Sequence, residues 1–234
     1  AESLAEQLVR SPNASDEDRL RLAFVHLTIG NCHFMDGELR EALAYTERAA
    51  AVARELGNEQ LLARTSNQIG LVLSLQARFD AAVRMLQQAK AQLEQIGDWG
   101  LWTWSAAWLG SSLARRGEYA AGVAEGQRAL VHAQQIHHPL AIATCHCCLS
   151  SSYLAGGDFP KALEASRAAL KIAEETGEFQ YVYMANCMAA WAETSMGEHQ
   201  LAWETITRNT RIEQALGGRP PWSDLFTVLR GQIA

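Results

Sequence analysis

The feature that most constrains this chain is an internal repeat with a period of forty residues. A short turn pattern recurs five times without insertion, at Gly37-Glu38-Leu39, Ala77-Arg78-Phe79, Gly117-Glu118-Tyr119, Gly157-Asp158-Phe159 and Gly197-Glu198-His199. Small residues keep the same step between the turns, as in the column Ala42, Ala82, Gly122, Ala162 and Ala202. Such a chain folds as a stack of similar units, each packed on its neighbours.

Each copy of the repeat predicts two helices. Apolar residues recur at three- and four-residue spacing on both sides of the turn, for example in 61–76 and 80–96. Glycine at the turn supplies a left-handed helix end, and the acid that follows favours the start of the next helix. No alternating β-branched run competes with this pattern. The sequence therefore predicts an all-α fold, an α-solenoid of helix-turn-helix repeats.

The repeats resemble those of the tetratricopeptide family. That family has a small residue within the first helix, then glycine, acid and aromatic at the turn, then two alanine columns; here the third copy shows Gly110, Gly117-Glu118-Tyr119, Gly122 and Ala129. This chain departs from the family pattern in its period, which is forty residues instead of 34. Ala77 replaces the turn glycine in the second copy, His199 replaces the aromatic residue in the fifth, and no proline closes the unit. The resemblance implies a right-handed solenoid, and the long period is similar to that of repeats in bacterial signalling and transcription regulators.

We expect residues 1–234 to form a single domain of this type. The repeats are predicted at about 20–57, 60–97, 100–137, 140–177 and 180–217. After the break at Pro220-Pro221-Trp222, residues 223–230 are predicted as a capping helix or as the start of a sixth repeat. Because the first residue is Ala and residues 1–10 resemble the remains of another helix, we expect the chain to be a segment of a larger protein.

Composition argues against several classes of protein. A net charge of −6 with few lysines disfavours direct binding to nucleic acid. The longest apolar stretch, 99–114, is shorter than the ~20 residues of a spanning helix, which disfavours a membrane protein. Five cysteines do not form a disulfide framework, so we expect a cytoplasmic location. Exposed end repeats allow a homo-oligomer, although no residue pattern specifies one.

The sequence contains no recognisable catalytic or phosphate-binding motif. The cluster Cys145-His146-Cys147-Cys148 falls inside a predicted first helix, where it lacks the second ligand pair of a zinc site. We interpret these cysteines as small packing residues, with a metal or redox site that includes Cys187 as the alternative. The prediction is a non-enzymatic protein without metal or cofactor.

The family resemblance implies a concave groove lined by the first helices. Matching the repeats by register gives the candidate groove residues Phe24, Leu27, Asn31, Arg64, Asn67, Leu71, Trp104, Trp108, Ser111, Met184 and Trp191. Trp104 and Trp108 lie four residues apart and therefore share a helix face; packing between helices is the alternative role for both. Leu27 stands where a basic residue would be needed to clamp a peptide carboxylate, so we do not expect that mode of binding.

These observations favour a non-catalytic scaffold for protein or peptide binding. An apolar and aromatic groove suits an amphipathic helix or an extended segment of a partner. The long-period resemblance suggests the regulatory segment of a larger bacterial signalling or transcription-regulatory protein. The alternative is a receptor for a short peptide or small molecule that switches an effector domain.

Overall fold

A computed structural model of the chain describes residues 15–216, and this part consists of helices joined by short turns. Its ten helices are α1 Asp16–Met35, α2 Leu39–Glu55, α3 Glu59–Leu75, α4 Phe79–Ile96, α5 Trp99–Arg115, α6 Tyr119–Gln135, α7 Pro139–Ala155, α8 Phe159–Thr176, α9 Phe179–Ser195 and α10 His199–Leu216. The helices predicted within 1–10 and 223–230 lie outside the described residues.

The ten helices form two layers. Each helix packs on its neighbours in sequence, and each odd-numbered helix, the first of its repeat, also packs on the next first helix. Within the described part of the chain the backbones of the even-numbered second helices pack on first helices, and second helices reach one another through side chains, as where Lys90 of α4 donates to Glu125 of α6 at 2.6 Å. The first helices therefore form an inner layer and the second helices an outer one, which is the arrangement of an all-α repeat solenoid.

The turns have the geometry that their sequence pattern predicts. Gly37 and Gly117 adopt positive φ angles of 76° and 106°, in the region that glycine enters most easily. Ala77 has a φ of 57° at the equivalent position of the second repeat, so the chain makes the same turn there without glycine. The first two breaks between repeats are capped by side chains: Asn58 Oδ1 accepts from the Leu61 N–H at 2.9 Å, and Asp98 Oδ1 accepts from the Leu101 N–H at 3.1 Å.

Small residues allow the two helices of each repeat to approach closely. In the third repeat a Cβ added to Gly122 would lie 2.5 Å from the Gly110 carbonyl oxygen and 2.6 Å from the Ala114 nitrogen. A Cβ added to Gly110 would lie 2.8 Å from the Gly126 nitrogen. Because both obstacles are backbone atoms, no side-chain movement can relieve them, and α5 and α6 can pack this way only with glycine at these positions.

Apolar side chains fill the space between the two layers along the solenoid. The largest buried cluster runs from Leu71 through Leu86, Trp108 and Leu109 to Cys148, and so joins the second, third and fourth repeats. No helix within residues 15–216 is both long enough and apolar enough to cross a membrane.

Candidate binding cleft

The inner layer contains a cleft to which the first helices of all five repeats contribute. Its volume is about 320 Å³, and its thirteen lining residues are Asn31, Phe34, Met35, Asn67, Gln68, Leu71, Leu101, Trp104, Trp108, Thr144, Gln180, Tyr181 and Met184. The lining comes from the end of α1, the middle of α3 and α5, and the start of α7 and α9. Because its lining draws on every repeat, we take this cleft as the candidate site.

A side lobe of about 380 Å³ adjoins the cleft. The two share Asn31, Asn67, Gln68, Leu101 and Trp104, and the lobe adds Leu27, Arg64, Asp98 and Gly100. Arg64 and Asp98 lie 3.9 Å apart, measured from Nη2 to Oδ2, and so offset each other's charge. The cleft itself is lined by apolar, amide and hydroxyl groups.

Trp104 stands between the cleft and the side lobe, where its indole is held in one orientation. Its Nε1–H donates to Thr144 Oγ1 at 2.8 Å, and the Thr144 hydroxyl donates to the Leu140 carbonyl at 2.8 Å. The ring also meets the His138 ring edge-on, with 5.5 Å between centroids. Because the polar end is already bonded, Trp104 presents a positioned apolar surface to a ligand.

Trp108 contributes a wall of the cleft but belongs mainly to the core. Only 7% of its surface is exposed, and it packs within the largest buried cluster. Truncating Trp108 would therefore open a large cavity, which costs about 3–5 kcal/mol of stability. The two tryptophans of one helix face thus have different roles, and only Trp104 can be truncated to test binding without removing the centre of the core.

The side-chain amides of Asn67 and Gln68, on α3, both line the cleft but differ in their hydrogen bonding. The Ser105 hydroxyl donates to Asn67 Oδ1 at 2.6 Å, which engages the amide oxygen. Gln68 is 8% exposed, and its Nε2 has no hydrogen-bond partner among residues 15–216. Buried donors are bonded in the great majority of cases, so an unpaired amide at the wall of a cleft indicates a place where a ligand can complete the bonding.

Tyr181 closes the cleft from the fifth repeat. Burial raises the pKa of its phenol, while hydrogen bonding to Thr144 and Trp104 lowers it. The hydroxyl therefore stays protonated at neutral pH, and it can act as a neutral donor or acceptor.

The structure brings together a majority of the groove residues predicted from sequence. Asn31, Asn67, Leu71, Trp104, Trp108 and Met184 line the cleft, and Leu27 and Arg64 line the side lobe. Three predicted residues lie outside both. Phe24 is an exposed residue of α1, Ser111 donates to Ser151 Oγ at 3.0 Å between neighbouring first helices, and Trp191 packs in the core of the fifth repeat. A role in binding stays a prediction for the whole set.

Register matching missed several residues of the cleft. Phe34 and Met35 come from the last turn of α1, whereas Gln180 and Tyr181 come from the first turn of α9. A fixed column assumes that every repeat presents the same level of its first helix to the groove. In the folded chain the first repeat presents its end and the fifth its beginning, because each unit is rotated relative to the previous one. No local sequence signal marks that shift.

The cysteine cluster forms no site in the described part of the chain. Cys145, Cys147, Cys148 and Cys187 are buried, and burial raises the pKa of all four thiols, for Cys145 to about 12. Thiols in this state are protonated at neutral pH and are poor nucleophiles. Residues 15–216 hold no group of three His, Cys, Asp or Glu side chains arranged to bind a metal ion.

Comparison with known sequences identifies the repeat. A family model described as "Tetratricopeptide repeat" matches residues 21–95. A search of curated proteins gives no match to this chain.

Solved structures share the fold at low sequence identity. BtubC from P. vanneervenii is 17% identical with a TM-score of 0.62, over 93% of this chain and 88% of that one. A Rap protein complexed with Competence and Sporulation Factor is 15% identical with a TM-score of 0.77, over 98% of this chain and 63% of that one. The Rap conjugation gene regulator of plasmid pLS20, in complex with the Phr* peptide, is 15% identical with a TM-score of 0.73, over 92% of this chain and 60% of that one. This chain thus spans less than two thirds of either Rap protein. Residues 21–95 thus match the tetratricopeptide repeat, and the described residues share the all-α repeat-solenoid fold of these solved structures.

Proposed function

We propose that this chain is a non-catalytic interaction scaffold that binds a peptide segment of a partner protein in the cleft. The observation that carries the proposal is the convergence of all five first helices on one cleft, which has apolar walls and amide groups among them. Buried apolar surface supplies affinity in such a site, and a few placed polar groups supply orientation.

The size of the cleft favours an extended segment over an amphipathic helix. Its volume of about 320 Å³ is at the lower end of the range for small-ligand pockets. A helix with its side chains is about 10–12 Å across, so it would cover the cleft from outside. An extended segment can place successive side chains in the cleft and in the side lobe.

The two Rap structures support a peptide as the class of partner. Their repeats have the same fold as this chain, one of them holds the Phr* peptide, and the other is complexed with Competence and Sporulation Factor. One of them is named a conjugation gene regulator, which supports a regulatory role, and we further propose that this chain is the regulatory segment of a larger bacterial signalling protein in the cytoplasm.

One observation favours the second candidate function, a receptor that switches an effector domain. Helices α1 and α9 line the same cleft although they are not in contact with each other. A ligand that touches both links the first repeat to the fifth, so its binding favours the curvature of the solenoid that brings them together. An attached effector domain could respond to that change.

Selection from a random peptide library displayed on phage tests the proposed function. The immobilised chain is the target, and Kd values of synthetic copies of the enriched peptides are then measured by calorimetry. We expect Trp104→Ala to weaken binding about thirtyfold, because truncating an aromatic hot spot costs ~2 kcal/mol or more. Trp203→Ala, at an exposed tryptophan of α10, is the matched control and should bind normally.

Circular dichroism must show that both variants keep the helical content of the parent chain. Equal affinity of the Trp104→Ala and Trp203→Ala variants for every selected peptide would contradict binding in the cleft. Failure of the library to yield any binder of the parent chain would contradict the peptide-binding function as a whole.

A further inference from the structure

We propose that the peptide segment in the cleft is uncharged, and that one of its backbone carbonyl oxygens accepts a hydrogen bond from Gln68 Nε2. The inference rests on the proposed function and adds to it the chemical class of the segment and the residue that recognises its backbone.

The first observation is the unpaired amide of Gln68. The side chain is 8% exposed, its Nε2 is buried, and no described group accepts from it. Because Nε2 is closed to water, the amide has to turn toward the cleft or the side lobe, both of which the residue lines, to meet an acceptor there. A ligand that supplies an acceptor here removes the cost of an unsatisfied buried donor, so the gain in affinity exceeds that of an exposed hydrogen bond.

The second observation is the charge of the lining. None of the thirteen residues around the cleft is Asp, Glu, Lys, Arg or His. Ionic groups line the adjoining side lobe, where Arg64 and Asp98 face each other at 3.9 Å. A charged ligand group in the cleft would lose its water without gaining a counterion. The cleft therefore selects against phosphate, side-chain carboxylates, ammonium groups and the free ends of a peptide.

The third observation is the match between the amides and a peptide backbone. The Asn67 oxygen is already engaged by Ser105, so the NH₂ group is what this amide can offer a ligand, as Nε2 is for Gln68. Both amides therefore offer donors, and the acceptor that is abundant and uncharged in proteins is the backbone carbonyl. Apolar walls such as Leu71 and Met184 then accommodate the side chains next to that carbonyl.

The test uses the peptide that binds most tightly in the phage selection, synthesised with a blocked amino end and a carboxamide end. We expect Gln68→Met, which keeps the length of the side chain but removes the donor, to raise its Kd about tenfold. Gln92→Met is the matched control. Gln92 lies on the second helix α4, outside the cleft, and its Oε1 is also buried and unpaired. This variant should bind with the Kd of the parent chain.

Two further measurements examine the charge of the bound segment. The enriched peptides should share a run of uncharged residues, and an acidic or basic residue introduced into that run should abolish binding. Raising the salt concentration to about 0.5 M should leave the Kd unchanged, because screening acts on charge pairs that this contact lacks.

The outcomes separate this inference from the proposed function. A peptide that needs Trp104 but binds Gln68→Met as tightly as the parent chain would overturn the role of Gln68 and leave the peptide function standing. Enrichment of a charged motif, with affinity that falls as salt rises, would overturn the uncharged class. Absence of any peptide that depends on Trp104 would overturn both proposals.

Discussion

Ala77 occupies a backbone conformation that costs an L-residue free energy. Its φ of 57° lies in the left-handed region, whereas the equivalent residues of the other repeats, Gly37, Gly117, Gly157 and Gly197, are glycine at similar angles. The left-handed conformation brings Cβ close to the carbonyl oxygen, at a cost of roughly 1–2 kcal/mol. Because the turn geometry is shared by all five repeats, packing of the two helices imposes the angle on Ala77.

Replacing Ala77 by glycine should therefore stabilise the protein. We expect Ala77→Gly to raise the free energy of unfolding by about 0.5–1 kcal/mol, since relief of the left-handed conformation is partly offset by the extra freedom of glycine in the unfolded chain. Urea denaturation followed by circular dichroism measures the change. The reverse substitution, Gly117→Ala, should lower stability by a similar amount. A lower denaturation midpoint for Ala77→Gly would show that the turn carries no strain.

At the scale of helices, the distance between the two helices of a repeat is set by the small residues at their contact. Four repeats have alanine in the column of Gly122, and the third repeat alone has glycine there. Gly122 faces Gly110 across the α5–α6 contact, with backbone atoms 2.5–2.6 Å from where its Cβ would lie. Helices α5 and α6 of the third repeat therefore lie closer together than alanine at position 122 would allow.

Replacing Gly122 by alanine, the residue that the other four repeats have at this position, should therefore destabilise the third repeat. We expect Gly122→Ala to lower the free energy of unfolding by about 1–3 kcal/mol, as overpacking does in a dense interior, despite the better helix propensity of alanine. Gly100→Ala, also in the third repeat, is the control. The nearest atom to a Cβ there is Asp98 Oδ1 at 3.8 Å, so this variant should gain up to about 1 kcal/mol. Equal effects in thermal melts would contradict the close approach of α5 and α6.

At the scale of the whole molecule, the cleft exists because the solenoid curves. Within residues 15–216 helices pack only on helices of the same or a neighbouring repeat, yet residues of the first and fifth repeats line one cavity. The shape of the site is therefore set by the sum of small rotations between successive repeats. A substitution at the contact between two successive repeats therefore changes the shape of the cleft even when the substituted residue does not line it.

Ligand binding should consequently protect both ends of the solenoid at once. We expect a cleft-binding peptide from the phage selection to slow amide hydrogen exchange in the last turn of α1, near Asn31, and in the first turns of α9, near Tyr181. The ligand stabilises only conformations that keep these segments together. Exchange measured by mass spectrometry gives the result by segment, and the Trp104→Ala variant serves as the unliganded control. Protection confined to α3 and α5 would show that the ligand does not span the cleft.

Part of the site was predictable from the sequence, and several of the missed residues belong to the first and fifth repeats. Asn67, Leu71 and Trp104 occupy the middle of their helices, where register matching works because neighbouring repeats are nearly equivalent. In the end repeats Asn31 and Met184 were predicted, whereas Met35 and Gln180 were missed because register matching assumes that every repeat presents the same level of its first helix. Ser111 lies on a predicted groove column but bonds to Ser151 between helices instead.

The sequence by itself determined the repeat, its forty-residue step, the two helices of each unit and the turns between them. These features depend on interactions within one copy, such as helix propensity, glycine at left-handed positions and small residues at the helix contact. Only the tertiary structure decided that Trp108 belongs mainly to the core, that Gln68 has an unpaired donor, and that five helices share one cleft. Each of these depends on the relative placement of units far apart in the chain, and a periodic sequence carries no local signal for that placement.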